Sequence, residues 1–230
     1  MEIGKSYNDS NLSIYTNPDV LFGKHLAIFG NTGTGKSCTI ASLIQGLKRR
    51  LSNDNKKVES KPKIIIFDSN SEYERAFNNE EFKVKVIKKE DLRLPHYELS
   101  FTEFYKLLNA SQGVQMPVLK SCIQNLKDKD GKFKFSDLPD AIENFINEKV
   151  GSDKFGKNQW LNYTNTMVNR IEKIIEDKRL MNIIETDKST VKEIIESDDE
   201  IILIQSDFDK DEIDIIMFLF SKITYKWALE

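Results

Sequence analysis

A chain of 230 residues, with 39% hydrophobic and 31% charged side chains and a net charge of −3, has an ordinary globular balance and room for a full core. That charge excludes the global basic excess of a protein that coats nucleic acid or anionic membrane, so a DNA partner would need a local basic surface. Two cysteines without metal-like spacing, no secretory leader pattern and no apolar run of bilayer length lead to the expectation of a cytoplasmic, non-membrane protein.

Residues 1–23 are polar and turn-rich. Alternation at Leu12 and Ile14 predicts a short edge strand or hairpin. Asn17, Pro18 and Asp19 predict a turn, from which Val20, Leu21 and Phe22 lead into a strand. The run Leu26, Ala27, Ile28, Phe29 reads as that strand, parallel and buried, breaking at Gly30. Helical spacing of Ile40, Leu43, Ile44 and Leu47 then predicts a helix over 36–50.

Between strand and helix, Gly30, Asn31, Thr32, Gly33, Thr34, Gly35, Lys36 and Ser37 match G-x-x-x-x-G-K-[ST] at every fixed position. Glycines 30, 33 and 35 allow backbone angles closed to other residues and turn main-chain N–H groups inward around a phosphate. The positive end of the helix adds to the attraction. Lys36 can reach the β- and γ-phosphates of ATP, and the Ser37 hydroxyl can ligate Mg²⁺. Cys38 adjoins the loop and completes the set expected to contact nucleotide, although its thiol reads as a small packing group rather than a redox sensor. The bland alternative is a chance glycine turn before a core helix, and the strand–loop–helix context argues against it.

Residues 52–62 read as an exposed, solvated connection. Residues 63–68 form a second buried strand ending in Asp68, four apolar residues and an acid, the pattern in which a carboxylate holds Mg²⁺ through water. Ser69, Asn70, Ser71, Glu72 and Tyr73 follow at the carboxyl end of that strand, where doubly wound sheets bind ligands. Asp68 and Glu72 are therefore candidate catalytic carboxylates, Asp68 also a candidate Mg²⁺ ligand. Each has a plain structural alternative, Asp68 as a turn or cap residue and Glu72 as a first-turn helix acid. Val84 to Ile87 predict a third strand, and 94–97 an irregular connection.

From 101 to about 197 the pattern is helical. One helix is carried by Phe101, Phe104, Tyr105 and Leu108; a second by Val118, Cys122, Ile123 and Leu126, ended by Asp130 and Gly131. Ser136 is positioned to cap a third through Leu138, Ile142, Phe145 and Ile146. Residues 155–158 read as a break, after which Trp160, Tyr163, Met167, Ile171, Ile174 and Ile175 carry one long helix to about 184. His25 and His96 stand alone and read as packing or surface residues rather than metal ligands. A last strand over 201–204 closes at Asp207, and a helix from Asp211 shows an arc (Ile213, Ile216, Met217, Phe220, Ile223, Trp227) wide enough to imply burial. The organisation expected is an N-terminal extension over 1–23, α/β core over 24–100, helical insertion over 101–198 and return to the core over 199–230.

Taken together, KHLAIFGNTGTGKSCTIASLIQ, IIIFDSNSEYERAF with its D-x-x-x-E-Y stretch, and LPHYELSF resemble the ATPase domain of HerA-type proteins, in the HerA/FtsK group of ring-forming DNA translocases. MVNRIEKIIEDKRL and EIILIQSDF are similar to family features less specifically. The resemblance runs from about residue 20 to the end. It implies a RecA/FtsK-like P-loop NTPase, a mostly parallel α/β sheet with a helical insertion. It also implies a hexameric, Mg-ATP-driven motor on double-stranded DNA, working with a nuclease or another effector in DNA-end processing or antiphage defence. Asp68 and Glu72 would then lie beside the γ-phosphate or at a subunit boundary.

The chain departs from the family pattern in three places. Lys24 stands where the family commonly has an arginine that acts on a neighbouring nucleotide site, and it lacks the bidentate fork. The later strand ending in an Asp-Glu pair, with an arginine finger beyond it, is absent, so the fold is expected to be incomplete at its C-terminus. The N-terminal barrel is missing or reduced to 1–23. These departures point to a piece of a longer protein, with a split gene or a degenerate NTPase as alternatives.

Three functions are weighed. The first is an ATP-binding subunit or fragment of a HerA-like translocase. The second is a nucleotide-dependent assembly or switch module that regulates an effector with little hydrolysis of its own. The third, a small-molecule phosphotransferase, ranks last because no lid-like arginine cluster is evident.

Overall fold

The computed structural model describes residues 1–53, 63–77 and 81–229, without the side chains of 51–53. It divides into two compact units, one built from Met1–Ile87 and Asp198–Ser206, the other from Lys88–Ser197 and Asp207–Glu230.

In the first unit the chain opens on the expected hairpin. Strand β1 (Glu2–Lys5) pairs antiparallel with β2 (Ser13–Tyr15), and Gly4 faces Ile14. The turn expected at 17–19 is instead the start of a short helix, α1 (Pro18–Phe22). Asn17 caps it by accepting the Asp19 amide at 3.0 Å, and Pro18 occupies the first turn, where a missing N–H costs nothing. Val20 and Phe22 therefore lie on that helix rather than leading into a strand.

The largest correction concerns residues 26–29. They form no strand; Leu26 is 51% and Phe29 91% exposed. Four apolar residues in a row specify a wish for burial but not a ladder neighbour, and no described strand pairs with them.

Helix α2 (Lys36–Asn53) is one turn longer than its apolar spacing suggested. Beyond Asn53 the connection expected up to 62 falls outside the described residues. Strand β3 (Ile64–Asp68), the short helix α3 (Glu74–Phe77), β4 (Val84–Ile87) and β5 (Ile201–Gln205) complete the unit. The sheet is parallel, in the order β3-β5-β4, with Ile64 and Val84 both level with Ile201. This accounts for the burial pattern. Central β5 is buried at Ile201, Ile202, Leu203 and Ile204, whereas edge strand β3 is only half-buried up to Asp68. On one face, Ala41 and Ile44 of α2 pack with Ile201, Leu203, Phe77 and Phe82. Lys48 of α2 pairs with Glu200, just ahead of β5.

The second unit is helical: α4 (Phe101–Leu107), α5 (Gln115–Leu126), α6 (Leu138–Val150), α7 (Lys154–Glu176), α8 (Lys178–Ile184), α9 (Thr190–Glu196) and α10 (Lys210–Leu229). Ser100 and Glu103 close a reciprocal capping box at the start of α4. Ser136 does not cap α6. It lies in a 3₁₀ turn, where its amide and hydroxyl donate to the Glu185 carboxylate, and Leu138 with a following proline starts the helix.

Two boundaries also differ from the expected ones. The break falls at Gly151 (φ 54°) and Asp153 rather than over 155–158, because the Asp153 carboxylate accepts the Phe155 amide and restarts the helix there. The long helix expected to 184 divides at Asp177. This residue is extended, and its carboxylate accepts the amides of Arg179 and Leu180, so an N-cap interrupts an otherwise continuous apolar stripe. The arc of α10 is buried at Ile216, Phe220 and Ile223, but Met217 is exposed.

His96 is a packing residue, as expected. Its ring sits among Phe104, Phe133 and Phe135, and Nδ1 lies 2.9 Å from the Ile184 carbonyl; that acceptor places the ring proton of the neutral form on Nδ1. Among the described residues no helix is long and apolar enough to cross a membrane.

Candidate nucleotide site

The site lies in the first unit and starts from the loop before α2. Gly33 and Gly35 have φ of +81° and +87°, the left-handed region in which a side chain is strained. The turn this creates is tied by one carbonyl. Asn31 O accepts the Thr34 amide at 3.3 Å, the Thr34 hydroxyl at 2.8 Å and the Lys36 ammonium at 2.7 Å. Lys36 is thereby folded over the loop it follows, rather than extended into solvent. Gly30 is favoured by contact: a Cβ there would meet Thr34 Oγ1 at 2.4 Å, so the Thr34 side chain would have to turn away.

Helix α2 starts directly from this turn. Its first turn contains no acidic residue to neutralise the positive end, and Thr39 Oγ1 donates to Gly35 O at 2.9 Å. Asn31, Thr32 and Thr34 are exposed.

The acids come from the carboxyl end of β3, more than thirty residues away in sequence. Ser37 Oγ donates to Glu72 Oε2, which brings the glycine-rich loop and the D-x-x-x-E-Y stretch into direct contact. Asp68 does something different. It is buried, and its two oxygens accept the amides of Glu72 and Tyr73, each at 3.0 Å. Ser71, at φ 53°, reverses the chain so that both amides point back at the strand end. Of the predicted site residues the structure thus joins Lys36, Ser37 and Glu72 around one loop, with Asp68 behind Glu72 rather than against Ser37.

Cys38 is exposed, which corrects the expectation of a packing thiol. It precedes Ala41 by one turn, beyond the end of the packed face of α2. With Ser37, Gln45, Glu72 and Arg75 it lines a groove of about 590 Å³ along α2. Lys24 and His25 are exposed in the segment before the loop. Asn70, whose amide lies 3.5 Å from Glu72 Oε1, falls in the stretch expected to face a ligand but is not singled out by the sequence, an Asn in a turn being too common a signal, and Arg75 is not anticipated, since nothing in the spacing marks it.

The chemistry of the set suits Mg²⁺ with a nucleoside triphosphate. The donors beside the loop are hard oxygens, one hydroxyl and one carboxylate, and Mg²⁺ fills the rest of its octahedron with phosphate and water. Among the described residues no three or more His, Cys, Asp or Glu side chains converge as an all-protein metal cage. The loop supplies a helix terminus and an ammonium, which together favour an anion.

Residues 1–223 match a family model described as the central domain of helicase HerA. The chain is similar to the probable helicase MJ1565 of Methanocaldococcus jannaschii, with 23% identity over 228 residues that make up 96% of this chain and 41% of that protein. It is similar also to the DNA double-strand break repair helicase HerA of Sulfurisphaera tokodaii, with 28% identity over 203 residues, 84% of this chain and 37% of that one. The chain therefore spans about two fifths of the length of each relative.

Proposed function

The chain belongs to the family of the HerA helicase central domain, and from that premise we propose that it is the Mg-ATP-binding part of a RecA/FtsK-like motor that moves on double-stranded DNA. The observation that carries this reading is the turn from Gly30 to Ser37, with Gly33 and Gly35 left-handed, Lys36 folded over it and Ser37 bonded to Glu72. ATP, when bound, supplies the phosphoanhydride whose cleavage drives a motor. The residues of the chain hold and orient it. Main-chain amides of 30–37 would hold the phosphates, Lys36 would exchange the Asn31 carbonyl for phosphate oxygens, and Ser37 would offer its hydroxyl oxygen to Mg²⁺. The carboxylates of Asp68 and Glu72 form the acidic side of the site.

A homo-oligomeric ring, hexameric by family resemblance, and a nuclease or defence effector as partner complete the proposal. The relative from S. tokodaii, named for double-strand break repair, supports the DNA part of it.

The test is titration of the purified chain with N-methylanthraniloyl-ATP in the presence of Mg²⁺. Saturable binding is expected, weakened at least tenfold, or by about 1.4 kcal/mol, in Lys36→Ala. A chain without affinity for any nucleoside triphosphate refutes the reading. DNA-stimulated hydrolysis by the gene product that carries this chain, lost in Lys36→Ala, supports the motor. ATP-driven assembly without DNA stimulation supports a switch module instead.

A further inference from the structure

We propose that the two acids of the site have separate tasks. Glu72 is the carboxylate that faces the divalent cation, and Asp68 is a positioning residue that sets Glu72 against Ser37. The inference rests on the nucleotide reading above and divides what that reading leaves joined.

The argument is one of hydrogen-bond capacity. A serine hydroxyl has one proton and two lone pairs. While its proton is donated to a carboxylate, its oxygen is oriented and made more electron-rich, which is the state in which it binds a hard cation best. In this chain the acceptor of the Ser37 proton is Glu72 Oε2. Among the described residues its other oxygen, Oε1, has only Asn70 Nδ2 at 3.5 Å, the weak end of hydrogen-bond distance. Glu72 is exposed, so this oxygen is open to a cation or its water.

Asp68 has no such freedom. It is 4% exposed, and each of its oxygens is engaged by a backbone amide, Oδ1 by Glu72 and Oδ2 by Tyr73. Each oxygen keeps a second lone pair, but burial closes it off, so a cation or its water could reach Asp68 only if the turn opened and gave up these amide bonds, a loss that a single outer-sphere contact does not offset. What it does instead is geometric. The carboxylate at the end of β3 reels in the residue four positions on, and the left-handed Ser71 makes that closure possible. The main chain of residue 72 is thereby pinned to the sheet. The side chain that extends from it reaches Ser37 because Asp68 holds its base.

The experiment compares the full wild-type chain with Glu72→Gln and Asp68→Asn, using N-methylanthraniloyl-ATP in Mg²⁺ and in EDTA, alongside melting of the nucleotide-free proteins. Glu72→Gln is expected to lose most of the Mg²⁺-dependent gain in affinity, tenfold or more, with affinity in EDTA equal to or tighter than wild type and an unchanged melting temperature. Asp68→Asn keeps one acceptor but turns the other oxygen into a donor facing an amide. It is expected to lose the Mg²⁺ gain together with a lowered melting temperature and weaker binding in EDTA. If Glu72→Gln keeps the Mg²⁺ gain while wild type binds, the assignment is wrong and the nucleotide reading stands. Loss of the Mg²⁺ gain in Asp68→Asn, with melting and EDTA affinity intact, would equally overturn it, by making Asp68 the cation's own partner. A wild-type chain that binds in neither buffer removes the nucleotide reading and this assignment with it.

Discussion

Gly30 is the one loop glycine whose replacement is opposed by a contact rather than by a backbone angle, and this makes its cost separable. A Cβ built there lies 2.4 Å from Thr34 Oγ1, but 3.5 Å from Thr34 Cβ and 3.5 Å from Lys36 Cγ. In Gly30→Ala the Thr34 side chain must therefore turn away, losing its 2.8 Å bond to Asn31 O. That bond is exposed and sits at the low end of the usual range, about 0.5 kcal/mol. The displaced χ1 adds about 1 kcal/mol. A loop held off its binding shape by about 1.5 kcal/mol should bind nucleotide roughly tenfold more weakly. The same substitution in a Thr34→Ala background meets only the two 3.5 Å neighbours, ordinary van der Waals distances, and should cost close to nothing. A double-mutant cycle on N-methylanthraniloyl-ATP affinity is thus expected to show a coupling of about 1.5 kcal/mol between the two positions. Additive effects, with a coupling below about 0.5 kcal/mol, would refute the contact and with it this description of the loop.

Three further outcomes follow from residues away from the loop. Burial, against weaker opposing pulls from the Ile184 carbonyl, the Glu185 carboxylate and the Phe133 carbonyl, lowers the His96 pKa below its ordinary 6.5. The unfolded chain then binds the extra proton more readily, so stability is full above about pH 6.5 and is lost as pH falls toward the folded value, by at most about 1.4 kcal/mol per pH unit. Urea unfolding between pH 7.5 and 5 should show this loss in wild type and a shallower one in His96→Gln; parallel pH profiles would count against it. Iodoacetamide at pH 8 followed by mass spectrometry should label only Cys38 in the folded chain, since the Cys122 thiol is buried and pushed up to about 11. Phe77→Ala should destabilise the first unit by about 3–5 kcal/mol, read from the urea midpoint, because this fully buried ring lies between Tyr73 and Phe82.

The parts of the fold that could be read from the sequence are those whose cause lies within a few residues of their effect. Strands 64–68, 84–87 and 201–205 and the helical stretch announce themselves by period and by β-branched runs. What the pattern could not supply was interruption. Asp177 cuts a continuous apolar stripe because its carboxylate caps the amides of Arg179 and Leu180, and an acid in a long helix looks like any surface residue until those bonds are seen. The run 26–29 fails for the complementary reason: a buried strand depends on neighbours that its own residues do not encode.

The same division runs through the site. The loop from Gly30 to Ser37 keeps its turn even though the run before it joins no ladder, because its fastenings are local; every bond to the Asn31 carbonyl comes from within five residues. Its motif was therefore visible as a string. The contact between Ser37 and Glu72 spans thirty-five positions and depends on where the sheet places the end of β3 and how Asp68 and Ser71 turn the chain there. Two candidate acids, four residues apart, could not be ranked by spacing alone. Ranking them takes the geometry of the turn, in which the acid on the strand is buried against two main-chain amides and the one beyond it reaches the loop.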